Sequence, residues 1–298
     1  MSSTAIAPLV PPGGSVERES GPAVMKRNGR TFWLASRLLS APVARDTAVL
    51  YAFCRYADDA IDEASTAADA RRQSVLLAAE LNGEAAARPS VAAFLALTAS
   101  KNIDVRYAHE LTAGIASDLG PVRVCDDEQL IHYGYLVAGT VGAMMLPILS
   151  VTDPRALEPA THLGIAMQLT NICRDVAEDA ARDRVYLPES RLRAAGLSHS
   201  DILAGTADRA QLAIVVRDTL ALADRYYASA RHGLCYLPLR ARLTVAIAGE
   251  MYRAIGVRLL RRQAADPFAG RVVVPLQQKF LYAGRALLNL LLSGPAAA

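Results

Sequence analysis

YAFCRYADDAIDE, residues Tyr51 to Glu63, decides how this 298-residue chain is read. Residues three or four apart on an α-helix share a face. Tyr51, Arg55, Asp58 and Asp62 follow that spacing and form one polar stripe, with Asp59 and Glu63 beside it. Ala52, Phe53, Ala57, Ala60 and Ile61 occupy much of the remaining circumference, which predicts a helix buried on most sides. An isolated acidic pair in a helix reads first as a solvated face. Here a largely apolar helix gathers three aspartates and a glutamate, and like charges four apart repel. Arg55 alone cannot neutralise them, so a cation from outside the helix is expected.

Working outward, the helical period continues almost without relief. Helices are predicted near residues 26–40, 46–64, 68–82, 90–100, 104–119, 126–151, 154–181, 207–235, 239–264 and 275–292. Pro42, Pro89, Pro121, Pro154, Pro188, Gly196, Pro238 and Pro267 fall where helix ends are expected. Strand alternation is nearly absent, and Arg271–Val274 is the one β-like run. The Pro- and Gly-rich residues 1–24 are expected to form a mobile tail, followed by one all-α domain over 25–298. Hydrophobic residues make up 52% and charged residues 20%, which excludes a disordered chain. A formal net charge of +3 gives no basis for a nucleic-acid partner.

Cys54, Cys125, Cys173 and Cys235 form no CxxC pair, which fits free thiols in a reduced, cytoplasmic compartment. The N-terminus lacks a secretory pattern. The longest apolar run, Tyr135–Val151, is interrupted by Gly139, Gly142 and Pro147 and reads as a buried core helix. Glycine inside a helix costs about 1 kcal/mol relative to alanine, so Gly139 and Gly142 suggest close approach of a neighbouring helix or a ligand. The histidines form neither HExxH nor ExxH and are read as packing or surface residues. Arg253, Arg258, Arg261 and Arg262 read as a solvated face that could also meet anionic lipid, leaving peripheral membrane contact open.

A second stripe lies in Gln168–Pro188, QLTNICRDVAEDAARDRVYLP. Gln168, Asn171, Asp175 and Asp179 (or Glu178) share a face, with Arg174 beside it. All-oxygen donors without histidine or cysteine suit a hard cation, Mg²⁺ rather than Zn²⁺. Two such stripes facing each other could hold about two or three ions around a diphosphate. Arg55 and Arg174 would contact phosphate oxygens, and the metals would neutralise charge on a departing diphosphate. The carbocation left behind needs a dry apolar pocket, for which Val137–Met145 offers a wall.

ADDAID at Ala57–Asp62, YLVAGTVG at Tyr135–Gly142 and the Gln168–Pro188 motif resemble the squalene/phytoene synthase family, closest to its bacterial phytoene synthase branch. The resemblance runs from about Met25 to about Leu292. It implies an all-α, single-domain isoprenoid-synthase bundle around a central apolar cavity. It also implies a Mg²⁺-dependent prenyltransferase of carotenoid biosynthesis that joins two geranylgeranyl diphosphates through prephytoene diphosphate to phytoene. By motif, Asp58, Asp62, Asn171, Asp175 and Asp179 would be metal ligands, with Mn²⁺ an alternative ion. Tyr51, Arg55, Gln168, Arg174 and Tyr252 would contact the prenyl diphosphate. The family's early Ser-x-Ser-Phe element stands here as Gly29-Arg30-Thr31-Phe32, so Asn28, Arg30 and Thr31 are the candidate neighbours of diphosphate there. No NADPH fingerprint occurs and no NADPH is expected. The alternatives are a C30 dehydrosqualene or presqualene-diphosphate synthase using farnesyl diphosphate, and, in another class, a catalytically silent lipid-handling helical scaffold.

Overall fold

The computed structural model describes residues 21–28 and 30–262, together with Pro275, Tyr282 and Gly284. The side chains of Asn28, Arg30, Thr31 and Arg262 lie outside the described residues, as do the run Arg271–Val274 and most of the helix predicted at 275–292. Two short helices, α1 (Gly21–Asn28) and α2 (Arg30–Ser36), open the described chain. Val24 and Met25 are buried there, so the expected tail gives way to packed helix at Gly21.

The first stripe lies on α3 (Ala41–Asp62). Its entry is set by extended Ser40 and by Pro42, whose fixed φ suits a first helical turn. Next come α4 (Ala67–Leu81), α5 (Pro89–Lys101) and α6 (Arg106–Ala116). Phe53 of α3 stacks on Phe94 of α5, and both are fully buried. Arg88, just before α5, donates from Nε to the buried Glu80 of α4 at 2.5 Å.

The apolar run is part of one continuous helix, Asp127–Ile148. It comprises α7 (Asp127–Gly134), a π-helical turn (Tyr135–Gly139) and α8 (Thr140–Ile148). By length and composition it could cross a membrane. Here it packs against both α6 and α9 (Leu157–Arg174), with Met144 and Ile148 fully buried. The close approach read from the glycines is present. A Cβ on Gly142 would lie 2.2 Å from the Ala160 carbonyl oxygen of α9, and one on Gly164 2.2 Å from that of Ala138.

The helix predicted over 154–181 is not continuous. A 3-10 turn (Pro154–Ala156) precedes α9, and the chain breaks helical geometry at Asp175 (φ −107°, ψ 17°) before α10 (Val176–Ala180). A two-stranded parallel ladder pairs β1 (Val122–Arg123) with β2 (Arg184–Val185), where no strand was predicted. Two unpredicted short helices follow, α11 (Glu189–Ala194) and α12 (His199–Leu203), the latter closed by a Ser198/Asp201 capping box. The long α13 (Arg209–His232) packs along α9, and α14 (Leu239–Arg262) completes the described bundle.

Candidate active site

A cavity of about 360 Å³ runs between α2, α3, the π turn, α8, α9 and α14. Its wall is mainly apolar, with Phe32, Leu50, Val137, Met145, Leu163 and Leu237 among the lining residues. Four of the polar side chains singled out in the sequence also line it: Tyr51, Gln168, Asn171 and Tyr252. Phe32 brings the two tyrosines together, its ring centroid 6.4 Å from Tyr51 and 5.2 Å from Tyr252. Burial pushes the Tyr51 phenol up to about 12 against the lowering pull of Arg55, so it stays a neutral donor.

The charged residues continue these helices past the cavity, Asp58 two turns beyond Tyr51 and Asp175 one turn beyond Asn171. Arg55 donates from Nη1 to Asp58 at 3.2 Å and from Nε to the buried Asp59 at 3.0 Å. On the other side Arg174 donates from Nε to Asp175 at 2.8 Å. The two motifs meet at Asp62, which accepts from Arg182 Nη1 and Arg184 Nη2 at 3.0 Å each. Both arginines lie in the second motif, yet sequence reasoning gave them no role.

In two carboxylates the ionised form is disfavoured by burial and by neighbouring carboxylates more than the arginines relieve it. Burial, and then the neighbouring Asp62, push Asp58 up to about 6 despite Arg55. Burial, and then Asp175, push Asp179 up to about 7 despite Arg184 and Arg182. Asn171 donates from Nδ2 to Gln168 at 3.3 Å, while its buried Oδ1 has no hydrogen-bond partner among the described residues. An orphaned carbonyl oxygen beside carboxylates short of positive charge is a donor set that fits a hard divalent cation. Among the described residues no three of His, Cys, Asp and Glu converge as a metal cluster; Asp62 and Asp175 are each paired with arginines.

A further carboxylate, Asp118, was absent from the sequence reading. It lies just past α6 and accepts from Tyr133 and Tyr186, each at 2.7 Å. It is an electrostatic neighbour of Asp58, Asp62 and Asp179. A single aspartate before a Gly-Pro turn carries no periodic signal, so sequence could not find it. Arg253, read as part of a solvated basic face, is instead paired with Asp224 at 2.7 Å.

An all-α bundle closed around an apolar cavity, polar where the cavity meets a cluster of arginines and aspartates, defines an isoprenoid-synthase architecture. A dehydrosqualene synthase crystal structure superposes with a TM-score of 0.80 at 27% identity, covering 91% of this chain and 95% of that one. A squalene synthase from Alicyclobacillus acidocaldarius shares the fold, with a TM-score of 0.69 at 22% identity over 82% and 94% of the two chains. The chain belongs to the squalene/phytoene synthase family, whose profile matches residues 25–278. Phytoene synthase of Pseudescherichia vulneris is 37% identical over 248 residues, 79% of this chain and 80% of that protein. The 15-cis-phytoene synthase of a Paracoccus species is 36% identical over 260 residues, covering 83% of each.

Proposed function

We propose that this chain condenses two molecules of geranylgeranyl diphosphate head to head, through the cyclopropyl prephytoene diphosphate, to phytoene, releasing diphosphate. The observation that carries the reading is the seating of Tyr51, Gln168, Asn171 and Tyr252 where the acidic cluster meets the apolar cavity. Relatives named phytoene synthase, similar along most of the chain, support the C20 substrate.

In this reading Asp58, Asp62, Asn171, Asp175 and Asp179 would hold about two or three Mg²⁺ ions, with Mn²⁺ as the alternative. The bound ions supply Lewis-acid neutralisation of charge on the departing diphosphate. Arg55 and Arg174 bind diphosphate oxygens as fixed cations, and Tyr51, Gln168 and Tyr252 donate to or orient the same group. Asn28, Arg30 and Thr31 are assigned to the same binding region. The cavity wall excludes water from the allylic cation, which the double bond of the second substrate attacks. Proton loss closes the cyclopropane, and loss of the second diphosphate, rearrangement and a final proton loss give the central triene. No hydride enters, so no NADPH is required. We assign the enzyme to the cytoplasm, with peripheral membrane contact; the exposed Leu38 and Leu239 beside Arg37 and Arg240 support that contact.

The C30 alternative is favoured by one observation, the likeness to a dehydrosqualene synthase structure. Incubation with labelled farnesyl or geranylgeranyl diphosphate, with Mg²⁺ or with chelator, tests both. A C40 hydrocarbon from the C20 substrate, lost with chelator, is expected. Products of C30 alone would replace the substrate, and no hydrocarbon from either would refute the assignment.

A further inference from the structure

We infer that Asp118 is a positioning residue for the acidic cluster: by sharing Arg184 with Asp62 and anchoring Tyr133 and Tyr186, it keeps Asp62 available to a divalent cation. This rests on the divalent-cation reading above.

Asp118 is no member of either stripe, yet its surroundings tie both together. Its two oxygens accept one phenol each, from Tyr133 on α7 and from Tyr186 just after β2. The two rings stack with centroids 4.7 Å apart. Short charge-assisted bonds of this kind fix orientation more firmly than neutral ones. Tyr186 follows Arg184 by two residues, and the β1–β2 ladder holds that segment in register. Arg123 adds a bond from Nη1 to the Asp183 carbonyl at 2.6 Å. The backbone that presents Arg184 is therefore clamped on each side of it.

Arg184 lies in the field of Asp62, to which it donates at 3.0 Å, and of Asp118, and it also acts on Asp179. A guanidinium shared among carboxylates neutralises each less than it would neutralise one. Deleting the Asp118 charge would leave Arg184 more fully to Asp62 and Asp179. It would also remove an anion that acts on Asp58 and Asp179. Both effects weaken cation binding while every proposed ligand stays in place. Tyr133 also stands two residues before the start of the π turn that supplies Val137 and Ala138 to the cavity wall, so its anchor steadies that wall.

The test is thermal unfolding of the full chain titrated with MgCl₂ alone, without substrate. Wild type should be stabilised with a defined Mg²⁺ midpoint. Asp118→Asn should raise that midpoint roughly three- to tenfold, the scale of one partly screened unit charge. Arg184→Met should lower the midpoint by releasing Asp62. In the Arg184→Met background, Asp118→Asn should shift it less, by the part that the shared cation carries, leaving the direct effect on Asp58 and Asp179. A wild-type midpoint with an unchanged one in folded Asp118→Asn overturns the role of Asp118 while leaving the metal reading intact. Absence of any Mg²⁺ stabilisation in wild type overturns both. If Asp118→Asn loses its helical circular dichroism, Arg184→Met decides alone, and an unchanged or raised midpoint overturns the inference.

Discussion

Gly164→Ala adds one methyl group where the structure has no room for it. The new Cβ would sit 2.2 Å from the Ala138 carbonyl oxygen, 2.5 Å from its carbon and 2.7 Å from the Gly139 nitrogen. All three atoms are backbone, so no side-chain rotation relieves the clash. Restoring an ordinary 3.4 Å contact from 2.2 Å requires α9 and the π turn to separate by about 1.2 Å. Overpacking of this kind costs about 1–3 kcal/mol and sometimes more. Against it stands the helical preference of alanine over glycine, up to about 1 kcal/mol. The strain wins, and the expected net loss is about 1–2 kcal/mol. Gly249→Ala is the internal control. Its Cβ would meet Leu163 Cδ1 at 3.5 Å, an ordinary contact, so the same substitution in α14 should be neutral or stabilising by up to about 1 kcal/mol. Urea unfolding with unchanged slope measures both. Because Val137, Ala138, Gly164, Gln168 and Asn171 all line the cavity, Gly164→Ala should also slow turnover. Equal stability of Gly164→Ala and wild type would refute the packing argument.

Asp58→Ala and Asp175→Ala should each lower turnover by several orders of magnitude with helical circular dichroism unchanged; near-normal turnover in either removes it from the ligand set. In Mg²⁺-free buffer, thermal stability should fall as pH rises from about 4 to about 7. Asp58 and Asp179 titrate at about 6 and about 7 in the fold, above their ordinary 3.8, so the folded state holds extra protons across that window. Asp179→Asn should flatten the dependence, and an unaltered slope contradicts the burial argument. Cys125 and Cys235 are exposed, whereas Cys173 is buried and burial pushes the Cys54 thiol up to about 12. A thiol reagent should therefore modify Cys125 and Cys235 rapidly in the native protein, with Cys54 and Cys173 reacting after denaturation; rapid native labelling at Cys54 would be the contrary result.

The parts of this molecule that repeat along the chain were legible in it. The period of Tyr51, Arg55, Asp58 and Asp62 gave α3 within a few residues, and the glycines of the apolar run foretold the seam with α9. What stayed hidden depends on partners remote in sequence. The break at Asp175 has neither proline nor glycine to announce it; it coincides with the Arg174–Asp175 ion pair. The β1–β2 ladder is two residues long on each side, too short to impose alternation. Asp118 acquires its meaning from Tyr133 and Tyr186, a relation that no local pattern encodes. The raised pKa of Asp179 likewise follows from burial.

The bridge from Asp62 to Arg182 and Arg184 has a consequence for how the chain matures. Like charges gathered along one groove would push a nascent bundle apart, and many small metalloproteins wait for an ion before they can close. Here the second half of the chain brings its own positive groups to the first half's acids. Assembly should thereby be uncoupled from the supply of ions, so that a chelator silences the catalyst without melting the scaffold.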